Sequence, residues 1–110
     1  MYSSIYVTTS DISESKKIAR VLVQERLAAC VNIVPAIESI YRWNGEIEED
    51  SESLIFIKTR SDMVETVIKK VEEIHSYDTP CVLELSIEKG SKKYFKWLDK
   101  EVDQSDLNEL

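Results

Sequence analysis

Four β-rich runs and two amphipathic helical runs follow one another in the order strand, helix, strand, strand, helix, strand, and a short apolar and aromatic run comes after the last strand. Split βαβ units joined by right-handed crossovers close in this order as a four-stranded antiparallel sheet with both main helices on one face. The prediction is an α+β protein of ferredoxin-like type, a βαββαβ antiparallel sheet with an appended C-terminal helix. A second observation sits at its centre. CVNIVPAIESIYRWNGEIEEDSESLIFIKTR, from Cys30 to Arg60, reads as two long arms joined by Asn44-Gly45, and both of those residues accept the positive φ of a tight hairpin turn. The third lies on the return arm, where Leu54, Ile55, Phe56 and Ile57 are apolar without alternation and need cover on both faces. Helices cover one face. With 110 residues to draw on, a second copy of the chain is the expected cover for the other.

Taken in order, Tyr2 to Thr9 is a strand with Ile5 and Val7 facing one way and Tyr6 and Thr8 the other. Ser10 or Asp11 caps the helix that follows, and Glu14, three residues after Asp11, completes a capping box. Ile18, Val21 and Leu22 form its apolar stripe, with Ala19 and Val23 at the margins, and its end is expected near Leu27 to Ala29. Pro35 donates no ladder hydrogen bond, so it marks a bulge or bend in the opening arm, from about Cys30 to Trp43. Ser61 or Asp62 caps the second helix, whose stripe is Val64, Val67, Ile68, Val71 and Ile74. Pro80 ends the HSYDTP loop. Cys81, Leu83, Leu85 and Ile87 then alternate with Val82, Glu84, Ser86 and Glu88, which predicts a strand with one buried face. Tyr94, Phe95, Trp97, Leu98 and Val102 give a short third helix, and QSDLNEL reads as an acidic tail.

Residues 1–110 contain no linker or repeat, so they form one domain with a core of useful size. The 21 acidic and 14 basic residues give a net charge of −7. That field repels phosphate backbones, excludes a general nucleic-acid binder and favours cations. Glu46, Glu48, Glu49, Asp50 and Glu52 cluster after the turn, where carboxylates spread along a strand read as solvated charge that discourages edge pairing. Cys30 and Cys81 both lie in apolar runs and read as buried free thiols in a reducing compartment. MYSSIYVTT is not a basic start followed by an apolar run, and no stretch has the length of a membrane span, so a cytoplasmic protein without membrane contact is expected.

Catalytic signatures are sparse. Gly45 and Gly90, the only two glycines, cannot build a phosphate-cradling loop. Cys30 and His75, the single histidine, lack an acidic partner at a telling spacing, and a non-enzymatic protein is predicted. As metal ligands, His75 and a cysteine with a carboxylate such as Glu84 are chemically suitable but carry no diagnostic spacing. A histidine that ends a helix also has a structural role, bonding free carbonyls.

Three segments, ERLAACVNI at Glu25 to Ile33, SIYRWNGEIEEDSESLIFIKTR at Ser39 to Arg60 and HSYDTPCVLEL at His75 to Leu85, together resemble the CutA divalent-cation tolerance family across essentially the whole chain. The resemblance implies a homotrimer similar in architecture to PII-type signalling trimers and linked to tolerance of copper and other divalent ions. It implies no required cofactor, with Cu²⁺ or another divalent cation as the ion bound. Of the ligand set in copper-binding relatives His75 is present here, while Val7 and Ile74 stand at the other positions. Cys30, Lys58, Tyr77 and Glu84 are shared with the motifs and are expected to line an intersubunit cleft. Two functions follow as expectations: a trimer in divalent-ion tolerance that binds the ion directly, or a PII-like regulatory trimer that takes a small metabolite or partner protein in its clefts.

Overall fold

The computed structural model describes residues 1–104. Its strands are β1 (Tyr2–Thr9), β2 (Cys30–Trp43), β3 (Glu46–Arg60) and β4 (Val82–Ile87), and its helices are α1 (Ile12–Gln24), α2 (Val64–Ile74) and α3 (Lys92–Glu101). A single-turn 3₁₀ helix, Ser61–Met63, leads into α2. The sheet order is β2-β3-β1-β4, with every pair antiparallel, as the ferredoxin-like reading requires. The acidic tail beyond Gln104 lies outside the described residues.

Side-chain alternation sorts the sheet into two faces. Ile5 and Val7 of β1 pair with Ile57 and Ile55 of β3, and all four are fully buried with Ile18 and Leu22 of α1 and Val67 and Val71 of α2. One core therefore lies between the sheet and both helices. Tyr6 pairs with Phe56 and Leu83, and Ser4 with Lys58 and Leu85, on the opposite face. There Leu83 is 56% exposed and Leu85 47%. The expectation of a buried face on β4 is thus corrected. Its apolar alternation is real, but it points away from both helices. Leu54 belongs to this face by register and is nonetheless covered within the subunit, while Phe56 is half-buried.

Asn44 and Gly45 take φ of 51° and 81°, the left-handed pair that a tight hairpin needs. The β2–β3 register slips between Val34 and Ile37, which places the bend at Pro35. Beyond it every residue from Ile40 to Asp50 is exposed. Buried hydroxyls brace the bend: Thr9 meets Ser15 at 2.7 Å, Ser15 meets Ser53 at 2.9 Å, and Ser53 donates to the Val34 carbonyl at 3.0 Å.

Two boundaries differ from the sequence reading. Helix α1 stops at Gln24, not near Leu27 to Ala29, because Arg26 turns left-handed (φ 59°) and Leu27 and Ala28 both donate back to the Leu22 carbonyl. Neither Ser61 nor Asp62 caps α2. The Ser61 hydroxyl takes a hydrogen bond from the Met1 amine and meets Ser3, and Asp62 pairs with Arg60. Helix α3, capped by Ser91, docks by stacking Phe95 on Tyr2 at 3.9 Å and burying Leu98 with Ala29 and Val102.

Candidate functional site

His75 closes α2 in an extended conformation and its side chain has no exposed surface. Nε2–H donates to the Thr8 carbonyl at 2.8 Å, since a carbonyl can only accept, and Nδ1 accepts the Tyr77 N–H at 3.0 Å. That arrangement fixes the neutral tautomer and occupies both ring nitrogens. Glu14 lies beside it, with Oε2 3.9 Å from Nδ1. Half of the predicted capping box is formed, the Asp11 carboxylate accepting from the Glu14 N–H, while the Glu14 side chain reaches one residue further back and accepts from the Ser10 N–H instead of that of Asp11. Glu14 has a further duty that local sequence does not signal. It also accepts from the Ser76 N–H at 2.7 Å and the Ser76 hydroxyl at 2.9 Å, clamping the loop after α2 onto the start of α1. Burial opposes its charge, but the hydrogen bonds from Ser10 and Ser76 outweigh burial and hold the carboxyl at about 2.

The loop aims Tyr77 at the root of the arm, where its hydroxyl donates to Glu52 at 2.8 Å. Burial and then the Glu52 carboxylate push that phenol up. Further along the arm Tyr41 donates to Asp50, a bond that together with burial lifts the Tyr41 phenol to about 12. Cys81 adjoins the same region, its thiol pushed up by burial and by Glu52. Tyr6, Tyr41, Trp43 and Tyr77, with Asp50 and Glu52, line a groove of about 680 Å³ between the arm and the helix-free sheet face.

The other three cleft candidates lie elsewhere. Cys30 and Lys58 are directly paired across β2 and β3 on the face opposite α1 and α2, and Lys58 donates to Asn32, so its ammonium is met by a neutral amide oxygen. Burial, and after it Cys30, raises the phenol of Tyr94 on α3. Glu84 projects from the helix side of β4 and accepts from the fully buried Ser3 at 2.6 Å. Cys30, Lys58, Tyr77 and Glu84 thus do not form one cleft within a single subunit. Both cysteines are free and half-buried rather than buried. Among the described residues no three His, Cys, Asp or Glu side chains converge as a metal site requires. The groove's aromatic walls were not anticipated from sequence, although Tyr41 and Trp43 at alternate positions on one arm face were a usable signal.

Residues 3–101 match the model of a family described as CutA1 divalent ion tolerance protein. The chain belongs to that family. Among CutA relatives, the protein named "Protein CutA, chloroplastic" from Arabidopsis thaliana is 50% identical over 94 residues, which are 86% of this chain and 52% of the plant protein. The chain thus spans about half the length of that relative. The Archaeoglobus fulgidus protein named "Divalent-cation tolerance protein CutA" is 41% identical over 103 residues, 94% of this chain and 100% of its own. A solved structure described as the periplasmic divalent cation tolerance protein CutA from Archaeoglobus fulgidus superimposes with a TM-score of 0.91 at 40% identity, covering 94% of this chain and 100% of that one. The ferredoxin-like fold predicted from the element order is the observed one, and it is shared with this solved CutA structure. No described helix is long and apolar enough to cross a membrane. Chloroplastic and periplasmic both occur in the names of these relatives, so family membership does not fix the compartment.

Proposed function

We propose that this member of the CutA1 family acts in divalent-ion tolerance as a non-enzymatic homotrimer, in a reducing compartment such as the cytoplasm. The observation that carries the reading is the uncovered apolar surface shared by the arm and the helix-free sheet face. Ile40, Trp43, Ile47, Leu83 and Leu85 are each between 47% and 68% exposed in the single chain. Burying a side chain of this size is worth roughly 1.5–3 kcal/mol, and a surface of several of them favours association over a solitary subunit. The long hairpin supplies reach.

Ion binding by the assembly is part of the proposal, with Cu²⁺ ahead of Mg²⁺ on ligand softness. At His75 an ion must first displace the Tyr77 N–H from Nδ1 or the proton that Nε2 shares with Thr8. Calorimetric titration of Cu²⁺ and Mg²⁺ into the wild type and His75→Ala tests that site. Loss of copper binding in the variant, with its assembly mass intact, supports ligation by His75. Unchanged affinity removes His75 from the ion's ligands. Thiol titration of the unreduced, denatured protein is expected to return both Cys30 and Cys81, and a result of none overturns the compartment.

A further inference from the structure

We propose that the cavity at the end of the sheet remote from the arm, between β4, α3 and the 3₁₀ turn, binds a small multivalent oxyanion, phosphoryl or polycarboxylate. It measures about 840 Å³ and is built wholly within one subunit. Lys89, Lys92 and Lys96 line it, together with the hydroxyls of Ser61 and Ser86. At this end of the sheet Tyr2 pairs with Arg60 and Ile87, whereas the arm leaves from the other end, past Thr9 and Ser53. The apolar residues that the proposed trimer covers, Ile40, Trp43, Ile47, Leu83 and Leu85, are not among those lining the cavity. Ser86 pairs with the buried Ser3 on the α1 and α2 side of the sheet, so the cavity wraps the sheet's end and does not open onto the face meant for another copy.

Charge here runs against the rest of the chain. Residues 89–96 hold four lysines and no acid, in a protein of net charge −7. Lys92 opens α3, where the positive end of a helix disfavours a cation, and the first turn has no acidic residue to offset it. Among the described residues the side chains of Lys89, Lys92 and Lys96 make no hydrogen bond or ion pair. Three ammonium groups around one concavity repel one another, and an anion placed among them replaces that repulsion with attraction. Two carboxylates, Glu88 and Asp99, also line the cavity, and Asp99 is engaged by the Tyr2 hydroxyl at 2.8 Å. The lysines outnumber them. A Cβ at Gly90 would lie 2.5 Å from the Phe95 ring, so glycine there lets the Lys89 loop close onto α3, and Phe95 is itself stacked on Tyr2. Loop and helix are thus set in place before a ligand arrives. A concavity of this volume suits a small molecule, while the acidic field of the whole protein repels a long polyanion such as a nucleic acid.

Pyrophosphate and citrate are the probes, titrated calorimetrically into the intact protein in metal-free HEPES and chloride buffer of constant ionic strength. Saturable binding of at least one is expected, half-complete at about millimolar probe or below, and the tighter of the two tells a phosphoryl source from a carboxylate one. Lys92→Gln and Lys96→Gln change exposed positions and are each expected to weaken binding about threefold to tenfold. Lys16→Gln combined with Lys17→Gln removes charge from the exposed side of α1 and is expected to leave affinity within about twofold. Absence of saturation with both probes overturns the proposal. So does unchanged affinity in both Lys92→Gln and Lys96→Gln. An equal loss in the α1 variant also overturns it, since binding would then belong to the general field of the protein. Because the cavity belongs to one chain, these outcomes hold whatever the mass of the assembly, and failure of this site is distinct from failure of the trimer.

Discussion

Glu14 shows how one side chain can serve two elements. It holds Ser10 just ahead of the α1 N-cap and ties down the loop after α2 through Ser76, although Ser76 lies 62 residues away. Its folded carboxyl is held at about 2 against an ordinary 4.5. A depressed carboxylate contributes stability that is fully present above pH 4.5 and is lost as the pH falls toward 2. Solvent screening reduces the contribution to about 1–2 kcal/mol. Urea unfolding at a series of pH values is expected to show that loss in the wild type and a correspondingly flatter acid limb in Glu14→Gln. An acid limb of unchanged steepness in the variant contradicts the clamp. His75 is the other pivot. His75→Ala opens a void and orphans the Thr8 carbonyl and the Tyr77 N–H, a cost of about 2–4 kcal/mol readable in the same denaturation experiment. A change within about 0.5 kcal/mol would place His75 among ordinary surface residues.

Among the elements, α3 depends on one close approach. A Cβ at Gly90 would lie 2.5 Å from the Phe95 ring, and that ring is stacked on Tyr2. Gly90→Ala is expected to displace Phe95 and loosen α3, at about 1–2 kcal/mol, with faster amide exchange confined to Lys92–Glu101. Uniform exchange across the chain would show that α3 docks without that stack. The helix itself was legible, as were the hairpin turn at Asn44-Gly45, the Pro35 bend and the α2 stripe, because each is set by local chemistry: positive φ, a missing donor, or apolar spacing. What escaped needed distant partners. The α1 stop depends on Arg26, whose guanidinium reaches the carbonyls of Lys100 and Glu101 at the end of α3. The hydroxyl of Ser61 was diverted from capping by Met1 and Ser3. Alternation on β4 was read correctly, but which face a sheet buries depends on where the helices sit, and Leu83 and Leu85 fell on the open one. Of the candidate site, His75 and Tyr77 are joined by a hydrogen bond, while Glu84 lies on the far side of the sheet from Lys58.

At the scale of the whole molecule, the sheet is a two-sided layer with one side finished. Ile55 and Ile57 are sealed against the helices, whereas Phe56 meets Tyr6 edge-on, with ring centres 5.8 Å apart, on the opposite face, the one the proposed trimer would cover. Of the two neighbours Ile55 and Phe56, it is Phe56 whose replacement by aspartate tests assembly without breaking the internal core. An unpaired buried charge there costs several kcal/mol. The net charge of −7 is compatible with the proposed association, because Glu46, Glu48, Glu49 and Asp50 of the arm lie at exposed positions where water and salt screen them. The most direct test of the proposed trimer is the mass in solution at micromolar concentration, by light scattering, of the wild type beside Phe56→Asp. Three chains for the wild type, and a fall to smaller species for the variant, are the predicted result. A wild type that persists as a folded single chain would contradict it.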